Sequence, residues 1–288
     1  MNTPHFLPYQ GSKRKVAGLI IDNIPRERKF KTLYEPFAGS AAFTLHALSH
    51  SSMFENAILG EVYKPLADIW QMVLSDPRGL AKQYEHLWEV QSDDQGFNKE
   101  HYLKVRSEFN QDEDPAKLMF LIAKCVKNSI RFNSKGEFNQ GADNRRKGVH
   151  PDKMSINIQS VHQVVAGRTA VYNADYMDLF EMCSSGDLVY CDPPWVGVTN
   201  TKNKRYHQQL DIDKFVAGLE LLNKKEVDFL VSFDGVRGGQ SYSEGLPEHL
   251  NLSRVLLDGG LSTQSLLNGV KEHTFESLYM SRSLTEVI

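Results

Sequence analysis

The sequence predicts an α/β protein built on a doubly wound, mostly parallel sheet that carries a long, mainly helical insert. Short apolar β-type runs alternate with helix-like runs, as in Thr32-Leu33-Tyr34 before Ala41-Ala42-Phe43-Thr44-Leu45 and Thr169-Ala170-Val171-Tyr172 before Tyr176-Met177-Asp178-Leu179-Phe180. That alternation is the signature of βαβ units. Several of these runs stop at an acid, namely Glu35, Glu61, Asp175 and Asp192, and ligands in open α/β sheets sit beyond the carboxyl ends of the strands. Between Lys64 and Gly167 no strand of the sheet returns. Residues 1–63 and 168–288 therefore read as the catalytic domain and 64–167 as the insert.

With 288 residues, 41% of them apolar and 24% charged, the chain buries a full core and has room for one large domain plus an insert. Its amino end, MNTPHFLPYQGSKRK, lacks the apolar run of a signal peptide, and no stretch reaches eighteen consecutive apolar residues. A cytoplasmic protein with no membrane partner is expected. Cys125, Cys183 and Cys191 are odd in number and lack metal-type spacing, which points to reduced thiols and to no metal. The net charge of −3 does not by itself suggest nucleic acid, but its distribution does.

In chain order, Pro8-Tyr9-Gln10-Gly11-Ser12-Lys13-Arg14-Lys15 reads as a basic loop opening a helix, with Ser12 as its cap. Thr32 to Ser40 gives a strand and a small-residue turn, Glu35-Pro36-Phe37-Ala38-Gly39-Ser40, where backbone approaches a nucleotide-type ligand closely. It is neither GxGxxG nor a Walker loop, which disfavours a dinucleotide oxidoreductase. A second strand, Ala57 to Gly60, ends at Glu61, where an acid meets ribose hydroxyls.

The insert begins helically. Leu66, Ile69, Trp70, Val73 and Leu74 fall at helical spacing, as do Leu80, Tyr84, Leu87 and Trp88, and such a Trp stripe reads as core. From Glu85 to Asp114 nine acids face three bases, a solvated acidic surface. From Lys124 to Arg168 the sign reverses to nine Lys or Arg against three acids, the clustered charge that phosphate neutralisation needs. Lys127, Arg145, Arg146 and Lys147 belong to this group. Ile130 to Gly141 alternates aromatic and polar residues around Ser134-Lys135-Gly136, the pattern of a β-hairpin. A two-stranded ribbon fits a DNA major groove, where Arg131, Asn133, Lys135 and Asn139 suit base edges.

After the insert, a strand ends at Asp175 and a helix starts at Tyr176. Leu188-Val189-Tyr190-Cys191 then stops at Asp192-Pro193-Pro194-Trp195. Two prolines fix φ and stiffen this loop. An acceptor-only carboxylate on Asp192, the Pro193 carbonyl and the flat Trp195 side chain suit a planar ring bearing an exocyclic amine. Accepting both N–H groups returns electron density to the nitrogen and makes it nucleophilic. Val196 to Gln209 is a polar loop bearing Lys202, Lys204, Arg205 and Tyr206, suited to clamp a DNA backbone. Asp211 to Lys224 reads as an amphipathic helix, Asp228 to Asp234 as a strand, Val236 to Ser241 as a glycine-rich turn, and Arg254-Leu257 and Glu276-Met280 as closing strands.

The Asp-Pro-Pro-Trp tetrapeptide resembles the catalytic signature of amino-methylating DNA methyltransferases. The motif order along the chain resembles that of the Dam-like family, the class alpha or D12-type DNA adenine-N6 methyltransferases. The resemblance implies a fold of the S-adenosylmethionine-dependent methyltransferase type. It also implies S-adenosylmethionine as cofactor, double-stranded DNA as partner, an adenine flipped out of the duplex and a monomer when acting. In such enzymes Tyr9, Gly11, Ser12 and Lys13 match the element closing over the donor, with Lys13 on its carboxylate. Glu35 to Ser40 match the first donor motif. Glu61 and Val62 stand where the family commonly has Asp-x-Asn, a departure at the ribose contact. Asp175 and Tyr176 match the acid near the donor's adenine, Asp192 to Trp195 the catalytic loop, and Arg131 to Asn139 the recognition hairpin, with Tyr206 a filler of the gap left by the flipped base. A restriction-modification or phage role is expected, with an epigenetic marking role left open. N4-cytosine methylation demands the same grip, and a DNA-binding subunit without catalysis is a further alternative.

Overall fold

In the computed structural model the described residues are 2–194, 210–237, 240–241, 245–261 and 273–285. Strands β1 (Phe30–Glu35), β2 (Phe54–Gly60), β3 (Thr169–Tyr172), β4 (Leu188–Cys191) and β5 (Asp228–Arg237) pair in parallel. β6 (Gln240–Ser241), β7 (Ser253–Leu261) and β8 (His273–Met280) are antiparallel to their neighbours. The order across the sheet is β3-β2-β1-β4-β5-β8-β7, with β6 on β5. The chain walks outward from β1 through β2 to β3, then returns to the other side of β1 with β4. The topological switch point therefore lies between β1 and β4, where open α/β sheets bind ligands.

β4 shows why this sheet is covered on both faces. All four of its residues are buried, as a parallel strand between helical layers requires. Leu188 and Tyr190 enter one hydrophobic cluster and Val189 and Cys191 the other, because successive side chains point to opposite faces. One layer holds α1 (Ala17–Asp22), α2 (Ala42–His50) and the helices of the insert. The other holds α8 (Tyr176–Met182) and α9 (Ile212–Lys224), whose Phe215, Leu219 and Leu222 are buried as the periodicity predicts.

Between β2 and β3 stand α3 (Lys64–Ser75), α4 (Pro77–Glu89), α5 (Gln95–Asp112), α6 (Pro115–Lys124) and α7 (Pro151–Val165). Their starts are written in the sequence. Asp76, Asp94 and Asp114 each accept backbone N–H groups of the first turn, and α3, α4, α6 and α7 carry proline at the N1 or N2 position, where no donor is lost. Trp70, Tyr84, Tyr102, Phe109 and Phe120 are buried in the same cluster as Leu33, Leu59 and Leu188 of the sheet. The inserted helices and the sheet thus share one core.

The hairpin takes the form the alternation predicts. Phe132 bridges Phe138 in antiparallel fashion, and the Asn133 N–H donates to the Glu137 carbonyl at 2.9 Å. Phe132 and Phe138 are both buried. One expectation needs correction. Ser12 precedes a 3-10 turn (Lys13–Lys15) and makes no side-chain cap. The chain does reverse within Val236 to Ser241, since β5 runs to Arg237 and pairs antiparallel with β6, Arg237 opposite Gln240. Gly238 and Gly239, Trp195 to Gln209 and residues 262–272 lie outside the described residues.

Candidate active site

β1 ends at Glu35 and β4 runs directly into Asp192, so both acids face the switch point. A cavity with about 1190 Å³ of empty space, its open mouth included, lies there. Every residue the sequence proposed for the donor lines it, from Tyr9, Gly11, Ser12 and Lys13 through Glu35, Pro36, Phe37, Ala38, Gly39 and Ser40 to Glu61, Val62, Asp175, Tyr176 and Asp192. Pro193 and Pro194 line it as well.

The floor is the turn after β1. The Ala38 N–H donates to the Gly60 carbonyl at 2.9 Å. Gly60 has no alternative, since a Cβ there would stand 2.5 Å from the Leu179 side chain and 3.1 Å from the Pro36 backbone. Gly39 has φ +47°, the left-handed region that glycine tolerates, and a Cβ on it would meet the Tyr9 ring at 3.3 Å. The turn is braced from the insert, because the Trp70 indole N–H donates to the Gly39 carbonyl at 2.9 Å. Glu61 ties two loops together by accepting the N–H of Gly39 at 3.2 Å and of Tyr63 at 3.0 Å. Burial raises its carboxyl above the ordinary range, opposed by these N–H bonds.

The roof is the amino-terminal segment. Ser40 donates its hydroxyl to Ser12 at 2.9 Å, and the Gln10 N–H donates to the Asn128 carbonyl at 2.9 Å. Lys13, only 8% exposed, sets its ammonium 2.8 Å from Asp192 Oδ1. Burial still raises the Asp192 carboxyl, with Lys13 pulling the other way. Glu35 is buried, with the Thr44 N–H at 2.9 Å on its Oε2. Desolvation pushes its carboxyl up to about 8, aided by Asp192 and opposed by the Thr44 bonds.

The Glu35 shift predicts a pH dependence of stability. In the unfolded chain the carboxyl returns to about 4.5, so the folded state binds its proton more tightly. The stability this confers is complete below about pH 4.5 and is lost as the pH rises through about 8. Glu61, Asp192 and Glu276 shift in the same direction. The melting temperature of the ligand-free chain is expected to fall across that window, and Glu35→Gln to shallow the slope. An identical slope in the variant would contradict this assignment.

Asp175 is both a helix cap and a cavity wall. It accepts the Met177 N–H at 3.0 Å, completes a capping box with Asp178 and pairs with Lys214 at 2.9 Å. Tyr176 lies beside Phe37, ring centroids 5.1 Å apart. Sequence reasoning missed Tyr63, Leu66, Ile130, Phe132 and Leu210, which also line the cavity. Tyr63 and Phe132 meet edge to face at 5.1 Å, so the base of the hairpin forms part of the wall.

Among the basic residues, Lys127, Lys135, Arg145 and Arg146 are exposed. Arg131 donates from Nε to Asn139 Oδ1 at 2.9 Å, and Asn133 holds the turn by accepting the N–H groups of Lys135 and Glu137. Arg145 and Arg146 flank Asp143, and Lys147 pairs with Asp93 at 2.8 Å. Trp195, Lys202, Lys204, Arg205 and Tyr206 lie outside the described residues. Among the described residues no group of three or more His, Cys, Asp or Glu could hold a metal ion, and no helix is long and apolar enough to cross a membrane.

A parallel sheet with a roomy cavity at its switch point and a proline-stiffened acid on its rim is an α/β fold with a ligand-sized site beyond its strand ends. The family model for the D12 class N6 adenine-specific DNA methyltransferase matches residues 9–259, and the chain belongs to that family. It is accordingly an adenine-specific DNA methyltransferase. It is 26% identical to the Type II methyltransferase M.MjaIII of Methanocaldococcus jannaschii, over 80% of this chain and 87% of that one. It is also 26% identical to the DNA adenine methylase of Vibrio cholerae, over 69% of this chain and 67% of that one. The DNA N-6-adenine-methyltransferase of Escherichia phage P1 is 25% identical over 67% of this chain and 24% of that one. Family membership resolves the choice left open by the grip on the amine in favour of adenine over cytosine.

Proposed function

We propose that the chain transfers a methyl group from S-adenosylmethionine to N6 of an adenine flipped out of double-stranded DNA, with Asp192, Pro193, Pro194 and Trp195 as the gripping loop. The observation that carries this is Asp192, held by Lys13 on the rim of a cavity whose floor is a glycine turn. The cavity suits the donor chemically. Glu61 is a carboxylate beside the glycine turn with lone pairs left for ribose hydroxyls. Asp175 offers an acceptor to an aromatic amine, Phe37 and Tyr176 offer apolar faces, and the Gly39 cradle is one that a side chain would fill. Bound there, S-adenosylmethionine supplies a methyl carbon made electrophilic by its sulfonium.

Asp192 and the Pro193 carbonyl accept the two N–H groups of the adenine amine, leaving its lone pair directed at that carbon. Held by the turn from Glu35 to Ser40 with Glu61 and Asp175, the donor would release its methyl carbon to that nitrogen, its sulfur keeping the electron pair of the broken bond. The cationic nitrogen then gives a proton to Asp192 or to water. Asp192 needs little basicity for this, and no covalent enzyme intermediate arises. Flipping costs about a few kcal/mol of unstacking.

Residues 64–167 are proposed as the DNA target-recognition domain, and 1–63 with 168–288 as the catalytic domain. Exposed Lys127, Lys135, Arg145 and Arg146 supply phosphate contacts, and Lys202, Lys204, Arg205 and Tyr206 are proposed to act from the loop beyond Trp195. Arg131, Asn133, Lys147 and Asn139, bonded within the fold when DNA is absent, enter the interface by exchanging those partners. A monomer acting in the cytoplasm, with a restriction-modification or phage role, completes the reading.

The test is to co-express the gene with a plasmid, locate modified bases by sequencing and separate the nucleosides by chromatography. N6-methyladenine at one recurring short sequence is expected. Unmodified plasmid, or N4-methylcytosine in its place, would overturn the proposal.

A further inference from the structure

Beneath the basic loop of the insert sits a lysine that the site described above does not use. Lys124, the last residue of α6, is 2% exposed. Its ammonium donates to the Gln91 side-chain oxygen and to the Arg146 backbone carbonyl at 3.3 Å. Both acceptors are neutral, while Asp143 favours the charge through space and burial and Lys147 oppose it. A cation taken out of water without a carboxylate bonded to it is costly, and an apolar side chain would fill the same space without that cost. What the ammonium fastens gives the reason to keep it.

That is the segment from Asp143 to Val149. The Asp143 N–H donates to the Lys124 carbonyl at 2.9 Å, so Lys124 grips the segment at Asp143 by its backbone and at Arg146 by its side chain. Gln91 Nε2 donates to the Lys147 carbonyl at 2.9 Å, and the Tyr84 hydroxyl to the Val149 carbonyl at 2.7 Å. Gly148, at φ +92°, lets the chain turn over Tyr84, whose hydroxyl would stand 3.3 Å from a Cβ there. The backbone is thus fixed from below.

The side chains it carries remain at the surface. Arg145 is 89% exposed, Arg146 44% and Lys147 36%. With Lys124 they make four cations, set against the carboxylates of Asp143 and Asp93. Like charges held together on a rigid backbone suit a partner that brings anions at a fixed spacing, as the phosphates of a DNA strand do.

We infer that Lys124 is the positioning residue of a preformed phosphate-contacting loop, Asp143 to Gly148, whose backbone it pins so that Arg145 and Arg146 meet the DNA strand already aligned. This rests on the insert facing DNA. Lys124 is buried and touches no phosphate, so it acts through the Arg146 carbonyl. A loop ordered beforehand loses less conformational freedom when the strand arrives, and more of the electrostatic attraction is left as affinity.

The test uses the full-length chain and a duplex carrying the methylated sequence, with affinity titrated over a range of salt. Arg145→Ala is expected to weaken binding about fivefold and to make the slope of log affinity against log salt shallower by about one. Lys124→Met is expected to weaken it about tenfold or more and to flatten the slope by about two, although it removes no phosphate contact of its own. Donor affinity should stay near wild type. In the Lys124→Met background, Arg145→Ala should cost less than about twofold more, because the arginine is no longer aimed. The full Arg145 cost in that background overturns the inference, as does wild-type DNA affinity in K124M. A parallel loss of donor affinity marks a general weakening of the fold and also overturns it. If K124M fails to fold, Gln91→Glu decides. Its carboxylate keeps the ammonium partnered but leaves the Lys147 carbonyl without its donor, so DNA affinity should still fall about threefold or more, and an unchanged affinity counts against the loop's being pinned. Wild-type binding in Arg145→Ala defeats the placement of this loop on DNA, and the inference with it. Failure of the inference alone leaves Arg145→Ala weak and Lys124→Met unchanged.

Discussion

Asp192→Ala is expected to lower methyl transfer at least about a thousandfold while leaving S-adenosylmethionine binding measurable by titration. The separation follows from the geometry. Asp192 stands at the end of β4, on the rim of the cavity, whereas the turn from Pro36 to Ser40 and the acids Glu61 and Asp175 form walls that do not depend on it. Removing its carboxylate takes away one of two acceptors for the amine, so the nitrogen keeps its lone pair in the ring. Lys13 loses its 2.8 Å partner and retains Glu276 at 3.9 Å. Asp192→Asn is the sharper variant, since its NH2 group presents donors to an amine that needs acceptors. Substantial activity in either would remove Asp192 from the mechanism.

The second large effect is expected at a residue whose periodicity gave it only a packing role. Trp70 is fully buried in α3, packs edge to face on Phe6 at 5.2 Å and donates its indole N–H to the Gly39 carbonyl. Trp70→Ala is expected to cost about 3–5 kcal/mol of stability, because a cavity of that size collapses only in part. Trp70→Phe separates the two roles. Most of the ring volume stays, the Gly39 carbonyl loses its donor, and the cost drops to about 1–3 kcal/mol. Donor affinity should fall in Trp70→Phe by more than the stability loss explains, because the Gly39 turn is no longer held. Denaturant titration and donor titration on the same preparation measure both. Unchanged donor affinity would show that the brace is dispensable.

How much of this was legible beforehand depended on the range of each signal. The βα alternation and the acids at strand ends are local, and every donor residue named from them lines one cavity. Helix starts were equally readable, since an aspartate before a proline or a first turn acts within its own helix. What escaped were contacts between distant segments. Ile130 and Phe132 line the cavity because the Gln10 N–H bonds Asn128 and because Tyr63 receives the Phe132 ring. No periodicity reports such a meeting. Ser12 was read as a helix cap from its type, while its hydroxyl is taken by Ser40. Asn133 likewise suits adenine edges by type, yet two backbone N–H groups of the hairpin turn hold its oxygen.

The continuity of the core has a consequence for engineering. The helices from α3 to α7 share their apolar interior with the sheet, and the same segment contributes Leu66, Trp70, Ile130 and Phe132 to the cavity or its brace. A chimera that swaps residues 64–167 for those of a homologue to alter sequence preference would rebuild the cavity wall along with the proposed recognition segment. Transplants confined to the exposed tip, Ser134 to Glu137, leave that wall intact and are the natural unit for redesign.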